Sequence, residues 1–189
     1  MSNEHNNRAT ATGNVFTANG NIVNMGDLAQ RQDDANLLTS VRDGIVYSAT
    51  YMATLAQGAI IRFVQDVPAG EVLRAISFDA ESDADIEFNH IVGGAIGTVL
   101  TTLDNNNADR RITAQCPAAF KIIDSHSGGR LVDTGLVSTA RGANKISATL
   151  SSVGLGGIYN SDGKPVFIIE NKDVVDANII LRWVWRGCA

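Results

Sequence analysis

The densest group of chemically competent side chains is the acidic run from Asp79 to Glu87, which places five carboxylates at alternate positions. A calcium ion requires several oxygen ligands at close range, and such a run could supply them. However, Ala84 and His90 stand where a helix-loop-helix calcium loop needs its glycine and its closing glutamate. Alternate positions of a strand share one face, so the run also fits the solvated side of an edge strand. We favour that interpretation and predict no metal site and no cofactor.

Nucleophilic catalysis requires a base that a third group orients, and the chain has three histidines that could act as that base. Segment 124–127 reads Asp-Ser-His-Ser, which contains suitable residue types. Neighbouring strand residues point to opposite faces, and two glycines follow directly, so we predict that His126 lies at a hairpin tip. An enzyme would need His90 or the acidic run to converge in a cleft. We predict no catalytic residues and no enzymatic activity.

The strongest structural signal lies in the last dozen residues. Ile179, Leu181, Trp183 and Trp185 would share one face of an extended strand, with Asn178, Arg182 and Arg186 on the other. A strand of this quality so near the chain end predicts a central or closing strand of a β-sandwich. The two tryptophans on that face are expected in the core or in the core of a subunit interface, and we assign both to an inter-subunit contact.

Short β-rich runs separated by glycine, proline and asparagine turns fill the chain from residue 45 onward. The candidate strands lie near 45–53, 58–66, 71–79, 84–92, 95–103, 110–123, 130–140, 144–151, 164–170 and 177–186. Eight to ten such strands predict an all-β domain over 45–189, a jelly-roll-like antiparallel β-sandwich.

The first 33 residues differ from the rest, since they are rich in Asn, Thr, Ala and Gly. Three Gly-Asn or Gly-Asp steps are each followed by an aliphatic residue, namely Val15, Ile22 and Leu28. We predict an extended N-terminal arm over 1–33 whose aliphatic residues dock on a neighbouring subunit; a disordered tail is the alternative. A short helical linker is expected over 34–44, capped by aspartate at its start and glycine at its end.

The composition limits the partners of the protein. A net charge of −5 with scattered basic residues argues against nucleic acid. Segment 44–61 lacks charges, but polar residues and Gly58 interrupt it, so no membrane span is expected. The polar N-terminus predicts synthesis in the cytoplasm, where Cys116 and Cys188 would be free thiols. Alternatively, Cys188 forms an inter-subunit disulfide after release into an oxidising medium.

Three segments together carry a resemblance to known proteins: the arm Ala11–Leu28, the strand-turn-strand Ile60–Val72 and the closing strand Asn178–Trp185. The chain resembles tailed-bacteriophage virion structural proteins of the jelly-roll capsid decoration (cement) or short fibre type. This resemblance implies a virion location and a homotrimer. It also implies contacts with the major capsid protein or another virion protein through the arm and the sandwich edges.

The resemblance leaves a second function open, that of a glycan- or receptor-binding tip domain of a head or tail fibre. Such a domain would use the same fold and a shallow site built from polar loops. The candidate loops are Asp104–Asn107 and Tyr159–Asp162. Sugar binding would favour the tip domain, and binding to empty capsids would favour the decoration protein.

Overall fold

The computed structural model describes residues 14–16, 22–24, 39–41, 44–113, 116–137, 145–148 and 157–187. The chain divides into two compact units, Met1–Asp43 and Gly44–Ala189. In the first unit β1 (Asn14–Phe16) and β2 (Ile22–Asn24) pair antiparallel, and residues 39–41 are helical. This turn falls within the predicted helical linker, whose other residues before Gly44 lie outside the described ranges.

The second unit is built from short antiparallel strands. They are β3 (Val46–Leu55), β4 (Ile60–Asp66), β5 (Leu73–Ser82), β6 (Ile86–Val92), β7 (Ala95–Ile96), β8 (Val99–Leu103), β9 (Asn106–Asn107), β10 (Ala119–Ile123), β11 (His126–Ser127), β12 (Arg130–Val137), β13 (Lys145–Ala148), β14 (Ile158–Tyr159), β15 (Pro165–Asn171) and β16 (Ala177–Gly187). A first sheet has the order β12-β6-β15-β4-β10-β8, and a second sheet has the order β13-β5-β16-β3-β9 with β14 beside β5. The two sheets pack as a sandwich, so the predicted fold class is confirmed.

The strand pairs are nested within one another along the chain. The outermost pair is β3 with β16, followed inward by β4 with β15, β5 with β13, and β6 with β12. Successive pairs alternate between the second and the first sheet, as in a long hairpin rolled into a sandwich. The innermost pair, β8 with β10, remains in the first sheet beside β4. Since β16 lies between β3 and β5, the prediction of a central closing strand is confirmed.

Two predicted strands differ from the structure for local reasons. The run predicted over 95–103 is divided because the Gly97 amide donates to the Ser125 carbonyl and the Thr98 amide donates to the Asp124 carboxylate. The run predicted over 110–123 is a strand only from Ala119. In its first part the Arg111 amide donates to Asp109 Oδ1 and the Cys116 amide donates to Asn105 Oδ1. Such side-chain to backbone bonds compete with strand ladders.

Aromatic rings from both sheets form the centre of the core. Phe78 of the second sheet stacks on Phe167 of the first with ring centroids 4.5 Å apart, and Phe167 lies 4.7 Å from Trp183. Trp183 and Trp185 are both 0% exposed in the single chain. The assignment of these two residues to an inter-subunit contact is therefore corrected, because no part of either ring is available to a second subunit. Their alternation with exposed neighbours reflects the inner face of β16.

Candidate functional site

His90, one of the groups that an enzyme would have required, lies inside the sandwich. Its ring is 0% exposed and stacks on Phe167 with centroids 4.9 Å apart. The Tyr159 hydroxyl lies 3.2 Å from His90 Nε2, within hydrogen-bond distance. Burial lowers the pKa of His90 to about 4 and raises the pKa of Tyr159 to about 12. His90 is therefore a neutral core residue that a substrate cannot reach in this structure.

The Asp-Ser-His-Ser segment fastens a hairpin. His126 Nε2 lies 2.9 Å from the Gly93 carbonyl oxygen, and the Ser125 hydroxyl donates to Asp124 Oδ1 at 2.9 Å. The hydrogen bond from Ser125 lowers the pKa of Asp124, whose carboxylate also accepts from the Thr98 amide at 2.7 Å. These contacts lie where β7 pairs with β11, and His126 Nε2 faces the Gly93 carbonyl oxygen rather than a serine hydroxyl.

The acidic run turns from β5 of the second sheet to β6 of the first. Asp83 accepts two 2.7 Å hydrogen bonds from Asn178, and the side-chain bond is the main cause of its lowered pKa. Glu87 accepts from Asn89 at 2.8 Å, which lowers its pKa, and it pairs with Lys172 at 3.4 Å. In the ranges that the structure describes, no group of three or more His, Cys, Asp and Glu side chains could hold a metal ion.

Buried amides connect the layers of the sandwich. Gln65 is fully buried, donates from Nε2 to the Ala118 carbonyl at 2.7 Å and accepts from Trp183 Nε1 at 2.9 Å. Asn171 Nδ2 lies within hydrogen-bond distance of three carbonyl oxygens, those of Leu55, Ala56 and Val175. Because buried polar groups are costly to leave unpaired, these amides select one arrangement of the surrounding loops.

Substituting Asn171→Ala should lower the free energy of unfolding by about 2 kcal/mol, because it removes this buried donor and leaves backbone carbonyls without a partner. Asn160→Ala is the matched control. Asn160 is exposed and accepts only from the amides of its own turn, so about 0.5 kcal/mol or less is expected. Urea unfolding followed by tryptophan fluorescence measures both variants. Equal losses would show that the hydrogen bonds of Asn171 to the loops at residues 55–56 and 175 do not stabilise the fold.

The two edges of the first sheet expose aliphatic side chains. At one edge, β8 has the sequence Val-Leu-Thr-Thr-Leu, with Leu100 62% exposed and Val99 also exposed. Among the described residues β8 pairs with β10 alone. At the other edge, β12 exposes Leu131, Val132 and Leu136. We call these two strands with their exposed aliphatic residues the β8 edge and the β12 edge.

The two edges are protected to different degrees. Sheet edges in stable monomers usually carry charges, prolines or bulges that prevent pairing with another chain. The β12 edge has Arg130, Asp133 and a register shift between Leu131 and Asp133. The β8 edge contains neither a charged residue nor a proline. Like the β12 edge it carries a bulge, because Ile122 and Ile123 of β10 pair with Thr101 and Val99 and leave Leu100 between them. With no charge on the strand, it is the less protected of the two edges of the first sheet.

The structure places the remaining predicted contact residues as follows. Val15 on β1 is paired with Val23, and Ile22 on β2 is paired with Phe16, so both lie in an antiparallel strand pair. Leu28 and Cys188 lie outside the described residues. Whether any of these four predicted contacts is made with another subunit stays a prediction.

Cys116 is buried, and its thiol lies 3.6 Å from the Gly187 carbonyl oxygen. Trp185 Nε1 points to its sulfur at 3.5 Å. Whether Cys116 and Cys188 are free thiols stays a prediction, since Cys188 lies outside the described residues.

Sequence reasoning did not identify the β8 edge. The available signal is the absence of charge over 95–103, which is compatible with an edge strand open to pairing but does not place the strand in the sheet. The position of β8 at the end of the sheet depends on its pairing with β10, and residues 104–118 separate these two strands in the sequence.

No protein-family model and no curated protein matches the chain. Solved structures with a similar arrangement include the Yersinia pseudotuberculosis-derived mitogen, with a TM-score of 0.37 and 10% identity over 72% of this chain and 83% of that one. A capsid structure of Helicobacter pylori bacteriophage KHP30 has a TM-score of 0.33 and 11% identity over 75% of this chain and 87% of that one. The periplasmic inhibitor of g-type lysozyme from Aeromonas hydrophila has a TM-score of 0.32 and 11% identity over 77% of this chain and 89% of that one. These low scores carry no argument about function.

In the part of the chain that the structure describes, no helix has the length and apolar character needed to cross a membrane.

Proposed function

We propose that the protein is a non-enzymatic structural component of a phage virion, namely a capsid decoration (cement) protein. It binds the capsid and neighbouring copies of itself through its N-terminal arm and its sandwich edges. The observation that carries this proposal is the β8 edge, an exposed and uncharged strand at the end of a rigid sheet. Such an edge is a ready template for pairing with another chain.

A second copy of the chain is the partner that both edges support. Because the β8 edge and the β12 edge belong to the same sheet, a head-to-tail contact can join the β8 edge of one copy to the β12 edge of the next. Contacts of this heterologous kind form a closed ring when the rotation permits. We propose a ring of three, in which exposed aliphatic residues such as Leu100 and Leu136 become buried.

The rigidity of the domain also supports a structural role. Aromatic stacking fills the centre of the sandwich, and Gln65 and Asn171 fasten strands and loops from within. His90, His126 and the acidic residues Asp83 and Glu87 are engaged in contacts that hold the fold. A domain of this construction can reinforce an assembly without performing a reaction.

Leu100→Lys should convert the trimer to a monomer, because a charge on an edge strand opposes pairing with another strand. Light scattering after size-exclusion chromatography measures the mass. Met52→Lys is the control, since Met52 is 70% exposed on β3 of the second sheet and should leave the trimer intact. Both variants should retain the melting temperature of a folded sandwich. A trimer that survives Leu100→Lys would exclude the β8 edge as the contact.

The virion assignment is tested by mass spectrometry of purified phage particles from the host that carries the gene. We expect peptides of this chain in fixed ratio to the major capsid protein. A particle preparation that lacks this chain while the cell lysate contains it would contradict the proposal.

A further inference from the structure

A polar groove opens on the second sheet, and none of its described lining residues belongs to β8 or β12. Its volume is about 720 Å³, and segment 105–113 forms one wall while β3 and β16 form the floor. The lining side chains that could bind a ligand are two guanidinium groups, three hydroxyls and an amide: Arg110, Arg182, Ser48, Thr50, Thr113 and Asn106. Among the described residues that line it there is no carboxylate and no aromatic ring.

The wall of the groove is fixed before any ligand arrives. Asn105 forms two hydrogen bonds with the backbone of Cys116, at 3.1 and 3.0 Å. Asn107 donates to the Gly44 carbonyl at 2.7 Å and accepts from the Asp109 amide at 2.9 Å. The wall therefore loses little conformational entropy when a ligand binds, which favours affinity.

Ile112 packs so closely over Gly44 that a side chain at this glycine would overlap it. Gly44 also has a φ of +74°, a conformation that favours glycine. The start of β3 and the wall of the groove are thus held together at this point.

The charge balance of the groove favours an anion. Asp109, next to the groove, is committed to Arg111, whose Nε and Nη2 lie 2.9 and 2.6 Å from its carboxylate oxygens. This hydrogen bonding lowers the pKa of Asp109 to about 2, so its charge stays paired with Arg111. Among the described residues neither Arg110 nor Arg182 forms an ion pair. Asp79 is opposite Arg182 on β5 and does not line the groove.

We propose that this groove binds an acidic saccharide, with Arg110 and Arg182 holding its carboxylate or sulfate group. Guanidinium groups bind such oxyanions through paired, charge-assisted hydrogen bonds. The hydroxyls of Ser48 and Thr50 on the floor and the amide of Asn106 on the wall suit the hydroxyl groups of a sugar ring. The volume lies within the range of small-ligand sites. This inference goes beyond the proposed structural role, since neither the edges nor the arm takes part in it.

The test is a printed panel of oligosaccharides that carry uronate, sialate or sulfate groups, each beside its neutral parent, probed with the labelled full-length protein. We expect binding to acidic members and none to the neutral parents. Titration calorimetry with the best acidic member should then show that Arg182→Ala and Arg110→Ala each raise the dissociation constant about tenfold or more. Arg130→Ala, which changes an exposed arginine on the other sheet, should bind like the unmodified protein.

Three results would overturn the proposal: no acidic member bound, neutral parents bound equally, or equal losses in Arg130→Ala. Competition by sodium sulfate at the same molar concentration as the saccharide would show a site for free anions and also overturn it. Leu100→Lys should retain saccharide binding, so failure of the groove and failure of the proposed assembly can be told apart.

Discussion

Replacing Trp183 with alanine is expected to lower the free energy of unfolding by about 3–5 kcal/mol. The indole is fully buried at the centre of the sandwich, where it contacts Phe78, Phe120 and Phe167. Its removal creates a cavity between the sheets. It also leaves the side-chain oxygen Oε1 of Gln65 without the Trp183 donor. Both effects act on the same layer, so the variant is expected to unfold at a much lower urea concentration.

Two further variants divide this loss into its parts. Trp183→Phe keeps most of the ring volume but removes the Nε1 donor, so we expect a loss of about 1–3 kcal/mol. Ile180→Ala lies on the same strand but is 37% exposed on the outer face, and it should cost about 1 kcal/mol or less. If Trp183→Ala were no more destabilising than Ile180→Ala, the packing of the Trp183 ring between the two sheets would be wrong.

Acidification should destabilise the domain by about 3 kcal/mol between pH 6.5 and pH 4 through His90 alone. Burial lowers the pKa of this residue from 6.5 to about 4. Below pH 6.5 the His90 imidazole is therefore protonated in the unfolded chain but stays neutral in the folded chain. Each unit of pKa difference contributes about 1.4 kcal/mol to the free energy of unfolding. The contribution is fully present above pH 7 and is lost as the pH falls toward 4. Asp133 opposes the lowering of this pKa and Arg130 adds to it.

His90→Phe should abolish this part of the pH dependence. The measurement is the urea midpoint at several pH values from 7.5 to 4.5, and the slope against pH is compared rather than the absolute stability. Tyr159→Phe is the control, because it removes the hydroxyl next to His90 but leaves the titrating ring in place. Carboxylates with lowered pKa values, such as Asp83 and Glu87, act mainly at lower pH. An unchanged slope in His90→Phe would contradict the burial of a neutral imidazole.

The sequence predicts the sandwich well because the signals that define it are local. The alternation of Ile179, Leu181, Trp183 and Trp185 marks the inner face of β16, and turn residues separate most of the strands. The same alternation cannot tell whether an apolar face is covered by the chain's own second sheet or by another subunit. The assignment of the tryptophans to an inter-subunit contact failed for that reason.

The interaction surfaces could not be predicted in the same way. Whether Leu100 lies at an edge depends on strand order, which long-range pairing determines. The polar groove depends on how Asn105 and Asn107 bond to Cys116 and Gly44, contacts that span 11 and 63 residues. The polar loop at 104–107 was recognised as a possible binding element, but Arg182 on β16 joins it only in the folded chain.

The most direct test of the proposed assembly is the solution mass of the full-length protein, measured by size-exclusion chromatography with light scattering over a wide concentration range. The account predicts about 60 kDa, three copies of a 20.0 kDa chain joined through their sheet edges. A mass near that of one chain at every concentration would contradict it, because the β8 edge would then remain open in solution.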